Sequence, residues 1–314
     1  DGASPLWTAS SKGNIDTVKL LLKAGGKVNQ VTTTNGASPL CIASQKGNVD
    51  TVKVLLKAGG NVHVNHTDTT YGASPLHFAS QNGNVDTVKV LLKAGGNVNQ
   101  ERTTDGASPL YIASQDGNID TVKVLLKAGG NVNQADTTYG RSPLYIASQN
   151  ENVDLVKVLL KKGGNVNQTE TTNGASPLYI ASLLGNLALV KVLIKAGSNV
   201  NQAKTTGSSP LYQASQNGHL ATVKVLIKAG ANVNQTRTTD GVSPLHIASQ
   251  KGNVAIVKVL IKAGGDLNQA RTMDGISPLF IASCNGHVAT VKVLIKSGSN
   301  VNQAKTTGSS PLYQ

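Results

Sequence analysis

The sequence predicts an all-α solenoid of repeated helix pairs, and three observations carry that expectation. All ten prolines of the 314-residue chain stand in the same tripeptide, Ser-Pro-Leu, from Pro5 to Pro311. Successive prolines lie 33–36 residues apart, a period that means stacked supersecondary units instead of one folded core. Inside each period, apolar residues recur at helical spacing in two short stretches. Composition agrees: the chain is 39% hydrophobic but only 3% aromatic. That is too apolar for disorder, and the glycines have no collagen period. No uninterrupted apolar run approaches the roughly 20 residues of a membrane helix. These facts exclude a transmembrane, collagenous or disulfide-knotted chain.

Residues 106–134 show how one unit is specified. Ser108 is an N-cap, and Pro109 suits the first helical position because its missing N–H is unbonded there anyway. Leu110, Ile112 and Ala113 form a buried side. Gly117 stops this first helix by taking a left-handed conformation cheaply. Asn118 is expected to cap a second helix, with Asp120 in its first turn where the dipole favours an anion. Val122, Leu125 and Leu126 face the core, while Lys123 and Lys127 lie four apart on the wet face. Gly129 and Gly130 stop the second helix. The polar stretch to Gly140 reads as a β-hairpin loop leading to the next Ser-Pro-Leu.

The run DGASPLYIASQDGNIDTVKVLLKAGGNVNQ resembles the ankyrin repeat in its Gly, Ser-Pro-Leu, small pair, Gly-Asn, aliphatic second helix and Val-Asn. The resemblance covers essentially the whole chain. It implies an all-α solenoid of antiparallel helix pairs with projecting hairpin fingers, whose fingers and first helices line a concave, protein-binding face. Residues 1–314 are expected to form a single array of nine complete repeats plus a truncated tenth at about 308–314. Departures from the pattern stand out. The unit running from Pro39 is 36 residues long, with its excess assigned to His63–Tyr71. Glu151 occupies the helix-stopping glycine position. Residues 197–213 and 298–314 are identical, as duplication of a three-repeat block would leave them. The first unit has no dedicated cap, which suggests a segment of a longer protein.

Little in the sequence points to chemistry. Cys41 and Cys284 lie seven units apart, too far to bridge within one chain, and read as reduced thiols of a cytoplasmic protein. His77 and His246 sit at the family's structural histidine. His63 and His66 fall in the insertion without the second ligand pair that zinc requires. There is no nucleophile elbow, phosphate-binding glycine loop or acidic dyad, and a catalytic site is singular where this sequence is nearly uniform. No enzymatic activity, metal or cofactor is expected. Three Asn-X-Thr triplets, at Asn65, Asn167 and Asn234, belong to the Val-Asn motif or its inserted variant.

Charge and exceptions to the repeat mark the candidate surface. The formal charge is +13, from 29 basic and 16 acidic residues. Residues 1–170 carry +3 and residues 171–314 carry +10. The acid in the second helix (Asp16, Asp50, Asp86, Asp120, Asp154) becomes alanine at positions 188, 221, 255 and 289. Finger exceptions include Tyr71, Arg102, Tyr139 and Arg141. Lys204, Arg237, Arg271 and Lys305 recur at equivalent finger positions, as a basic rail along which an acidic peptide could lie. Leu183 and Leu184, replacing Gln-Asn, supply the apolar anchor that affinity requires. The expected function is a monomeric, non-catalytic scaffold binding a protein or extended peptide on its concave side. Alternatives are a polyanion binder using the basic C-terminal half, or a structural or synthetic repeat without a ligand. Nucleic acid is disfavoured by the scarcity of aromatics and arginine. Membrane contact is expected only indirectly.

Overall fold

The computed structural model describes residues 2–59 and 63–306. Eighteen helices and no strand occur among the described residues. They form two compact units, Asp1–Asn165 and Val166–Gln314. Unit 1 holds α1 (Pro5–Lys12), α2 (Ile15–Lys23), α3 (Pro39–Lys46), α4 (Val49–Lys57), α5 (Pro75–Gln81), α6 (Val85–Lys93), α7 (Pro109–Gln115), α8 (Ile119–Lys127), α9 (Pro143–Gln149) and α10 (Val153–Lys161). Unit 2 holds α11 (Pro177–Leu184), α12 (Leu187–Lys195), α13 (Pro210–Gln216), α14 (Leu220–Lys228), α15 (Pro244–Gln250), α16 (Val254–Lys262), α17 (Pro278–Cys284) and α18 (Val288–Lys296). Within each unit the odd-numbered helices pack side by side in one layer and the even-numbered ones in a second, each odd helix also packing on its even partner. The truncated tenth repeat expected at about 308–314 lies outside the described residues.

The first helices start as the sequence dictates. In unit 1 the Ser108 hydroxyl accepts the Tyr111 N–H at 3.1 Å, and Pro109 is the first helical residue. At the other end Gly117 has φ 73°. The core alternates between layers: Leu110, Ala113, Val122 and Leu125 are fully buried, as are their counterparts Leu211, Ala214, Val223 and Leu226 in unit 2. Each such leucine or valine contributes about 1.5–3 kcal/mol by leaving water. Thr87, Thr121 and Thr222 of the second helices are equally buried.

Three expectations need correction. Asn118 does not cap α8; its side-chain amide donates to the Ser80 and Gln81 carbonyls at 3.0 and 2.8 Å. Asn48 and Asn84 bond the preceding repeat in the same way. The last carbonyls of a helix lack intrahelical partners, and these asparagines satisfy them, whereas Asn152 and Asn186 accept the Leu155 and Leu189 N–H groups and cap their own helices. The fingers are turns, not strand hairpins. Each closes locally, as Asp136 N–H to Arg141 O at 3.0 Å, and is tied to its predecessor by bonds such as Thr137 N–H to Asp105 O at 2.7 Å. The arms are too short for a ladder. Finally, within His63–Tyr71, the stretch to which the excess of the 36-residue unit is assigned, Val64–Tyr71 carry no insertion. Asn65 accepts the Asn97 N–H at 2.7 Å, as Asn99 accepts that of Asn131. Asp68 closes its finger as Arg102 does. The regular 34-residue register therefore holds from Val64 onward; residues 60–62, which precede His63, lie outside the described residues.

Candidate protein-interaction face

Most of the described fingers are short loops closed with the help of a side-chain acceptor. The N–H of the residue after the finger glycine must be satisfied, because that residue is usually buried. In three fingers a carboxylate at the first finger position does this: Asp68 bonds the Ala73 N–H at 2.7 Å, Asp136 the Arg141 N–H at 3.0 Å and Glu170 the Ala175 N–H at 3.1 Å. These three acids are almost fully buried. In three others the acid stands three residues later. Asp105 bonds the Ala107 N–H, Asp240 the Val242 N–H and Asp274 the Ile276 N–H, at 3.1–3.2 Å. The first position is then arginine, and Arg102, Arg237 and Arg271 each chelate their own finger's aspartate through two nitrogens. Arg102 holds the Asp105 carboxyl below the usual carboxylate range, and Arg271 does so for Asp274. Thr32 and Asn35 share the task in the first finger.

This geometry reassigns part of the predicted site. The basic rail is not a row of four free cations, since Arg237 and Arg271 are neutralised within their own loops. Arg102 is neutralised likewise. Among the described residues, only Lys204 and Lys305 keep an uncompensated charge in the fingers of unit 2. The position three residues on is Gly207 for Lys204, where the three arginine fingers carry an aspartate. Lys204 instead lies over the Tyr179 ring, 5.4 Å from its centroid; Lys305 is exposed. The finger exceptions that resembled a recognition code are, in large part, alternative ways of closing a loop. The paired placement was legible as Arg-Thr-Thr-Asp against Asp-Thr-Thr-Tyr in the sequence, but its meaning required knowing which N–H both acids serve.

The remaining candidates are presented to solvent. In unit 1, Tyr71 is 54% exposed and borders a cavity of about 340 Å³ with Gln45, His77, Phe78, Gln81, Arg102 and Ile112. Tyr71 and Arg102, from successive fingers, are thus brought to one site. Tyr139 is exposed, and the Arg141 guanidinium stacks 4.2 Å from its ring centroid. In unit 2, Leu184 is exposed and Leu183 half-buried, its carbonyl accepting bonds from Asn217 and His219. Arg237 also lies 5.2 Å from the centroid of Tyr212. Phe78, which sequence reasoning noted in no functional role, completes the aromatic wall of the unit 1 cavity.

The row behind the fingers is buried and chemically quiet. Cys41, His77, Tyr111, Tyr145, Tyr179, Tyr212 and His246 occupy it, all at most 6% exposed. Burial pushes the Cys41 thiol up, away from the thiolate. Burial drives the His77 and His246 imidazoles down to about 4, so both are neutral near pH 7. The His77 ring sits between Ser74 and the Ala107 carbonyl, 3.1 Å from the Ser74 N–H and 3.0 Å from the oxygen. Burial and the Asp136 carboxylate raise the Tyr111 hydroxyl. Cys41 and Cys284 are both free thiols. Among the described residues no three His, Cys, Asp or Glu side chains converge on a point.

A family model described as ankyrin repeats (three copies) matches the chain in overlapping placements, at residues 6–102, 58–136, 76–170, 128–204, 144–237 and 211–305. No individual curated protein matches it.

Proposed function

The chain belongs to the ankyrin-repeat family, whose members generally mediate protein–protein contact, and from that premise we propose a non-catalytic scaffold that takes a protein or extended peptide along its first-helix and finger side. The observation that carries this reading is the cavity bordered by Tyr71, Phe78, Gln81 and Arg102. An exposed tyrosine has no part in holding its own finger through its ring; only its backbone N–H is used there. Exposed aromatics beside a recess are where interface energy concentrates. Leu184 and, in the next finger, Lys204 offer a second candidate on unit 2, an apolar residue and an uncompensated charge suited to an acidic segment, with Lys305 three repeats further on. The setting is cytoplasmic and the chain monomeric in this reading.

The test uses a partner captured with the whole chain and two surface variants. Tyr71→Ala with Phe78→Ser alters the unit 1 recess. Leu183→Gln with Leu184→Asn restores the residues of sister repeats. At least one variant weakens the partner about tenfold or more if the face is used. A partner held equally by both variants, and by Lys204→Glu, overturns the reading.

A further inference from the structure

The second helices of the two units differ in one respect that repeats in every helix. In unit 1 each carries an aspartate in its first turn. Asp50, Asp86, Asp120 and Asp154 lie 2.8–2.9 Å from Lys53, Lys89, Lys123 and Lys157, and Asp16 lies 3.8 Å from Lys19. In unit 2 the same positions are Ala188, Ala221, Ala255 and Ala289, and none of the four helices has an acid. Among the described residues Lys191, Lys224, Lys258 and Lys292 therefore have no acidic partner, nor do Lys195, Lys228, Lys262 and Lys296 one turn later. All eight are exposed.

The four acids of unit 2 lie elsewhere and are occupied. Glu170 is buried against backbone N–H groups. Asp240 and Asp274 are chelated by arginine, and Asp266 accepts the Asn268 N–H at 2.9 Å. Because α12, α14, α16 and α18 pack in one layer, the lysines form two rows on a single face. Between the rows stand half-exposed Val192, Ile194, Val225, Ile227, Val259 and Ile261. An open trough of about 400 Å³ between α14 and α16 is lined by Ile227, Val259 and Ala263, with Lys224 and Lys262 beside them.

We propose that this second-helix face of unit 2 docks on an anionic lipid bilayer. The occupant follows from the two chemistries combined. Unpaired lysines are attracted to an anionic surface, each contributing a few-fold to affinity. The aliphatic residues between them gain by entering the interface while lysine stems reach outward to headgroups. A nucleic acid would use the charge but not the apolar floor, and these helices offer it neither aromatic nor arginine. Within unit 2 this face belongs to the second-helix layer, whereas Leu183 and Leu184 belong to the first-helix layer. Direct docking replaces the expectation that membrane contact is only indirect. No described helix is long and apolar enough to cross a bilayer, so the contact is peripheral.

The experiment is co-sedimentation of the whole chain with phosphatidylcholine vesicles, with and without phosphatidylserine. Binding is expected only with phosphatidylserine, weakening as salt rises. The informative variant restores the acid of sister repeats: Ala188→Asp, Ala221→Asp, Ala255→Asp and Ala289→Asp together. The same residue occupies this place in all five second helices of unit 1, so the fold is kept, and circular dichroism verifies it. Vesicle binding should fall about a hundredfold or more. Ile227→Ser with Val259→Ser should weaken vesicle binding several-fold while leaving affinity for a DNA duplex unchanged. The proposal is overturned if the parent ignores phosphatidylserine vesicles, or if the folded four-aspartate variant binds them equally. It is overturned too if duplex DNA or polyglutamate is bound more tightly than the vesicles.

Discussion

Replacing Glu151 by glycine should stabilise unit 1. Glu151 is the one non-glycine residue with positive φ among the described residues, at 57°. The other eight repeats have glycine there, with φ between 68° and 80°. The surrounding backbone is the same in both cases. Glu151 N–H bonds Ser148 O at 3.1 Å and Asn152 N–H bonds Ala147 O at 3.0 Å, as Gly117 N–H bonds Ser114 O and Asn118 N–H bonds Ala113 O. The backbone difference is thus the Cβ, whose clash in the left-handed region costs about 1–2 kcal/mol. Glycine loses more backbone entropy on folding, by about 0.5–1 kcal/mol. A net gain of about 0.5–1 kcal/mol remains. The reciprocal change, Gly117→Glu, acquires the strain and brings a Cβ to 3.2 Å from the Asn152 amide nitrogen, so it should cost at least the same net of about 0.5–1 kcal/mol. Urea unfolding followed by circular dichroism measures both. With similar slopes, the midpoints should move in opposite directions by about 0.2–0.5 M or more. A Glu151→Gly midpoint that stays or falls while Gly117→Glu is neutral would refute the backbone argument.

Three further outcomes follow from the same geometry. His77 and His246 are held at about 4 when folded, against about 6.5 unfolded. The unfolded chain therefore takes up protons first, and stability present above pH 6.5 should drain away between pH 6.5 and 4. His77 alone accounts for roughly 3 kcal/mol of that loss. His77→Tyr, the residue of four sister repeats, should flatten this part of the profile; an unchanged slope would contradict burial as the cause. Asp136→Ala strands the Tyr139 and Arg141 N–H groups that the carboxylate now serves at 2.6 and 3.0 Å. It should cost about 2–3 kcal/mol in chemical denaturation, whereas Asp136→Asn, which keeps an acceptor, should cost markedly less. Asn118→Ala should destabilise by about 1–2 kcal/mol by releasing the Ser80 and Gln81 carbonyls. Asn118→Ser, a good N-cap residue, should not recover that loss, and recovery would restore capping as the role.

The helical layers were legible in the sequence because local chemistry specifies them. Ser-Pro-Leu starts the first helix, a left-handed glycine stops it, and aliphatic spacing sets the buried stripes; Ser108, Gly117, Val122 and Leu125 all act where the pattern puts them. The strain at Glu151 was equally local and equally legible. What only the tertiary structure decided concerns groups whose partners come from elsewhere in the chain or from the far side of a turn. Asn118 looks like a cap until the carbonyls of the preceding repeat come within reach. Arg237 and Arg271 look like free charges until their loops fold back and place an aspartate against each. Phe78 becomes part of a recess only when Tyr71 and Arg102, from two fingers, stand over it. The loss of aspartate from the second helices of unit 2 was visible as a change of letters. Its consequence, two rows of unpaired lysines over an aliphatic floor, exists only because neighbouring helices pack side by side. Periodicity encodes what a residue does within its own repeat, whereas hydrogen bonds and charge pairing depend on distances that packing alone sets.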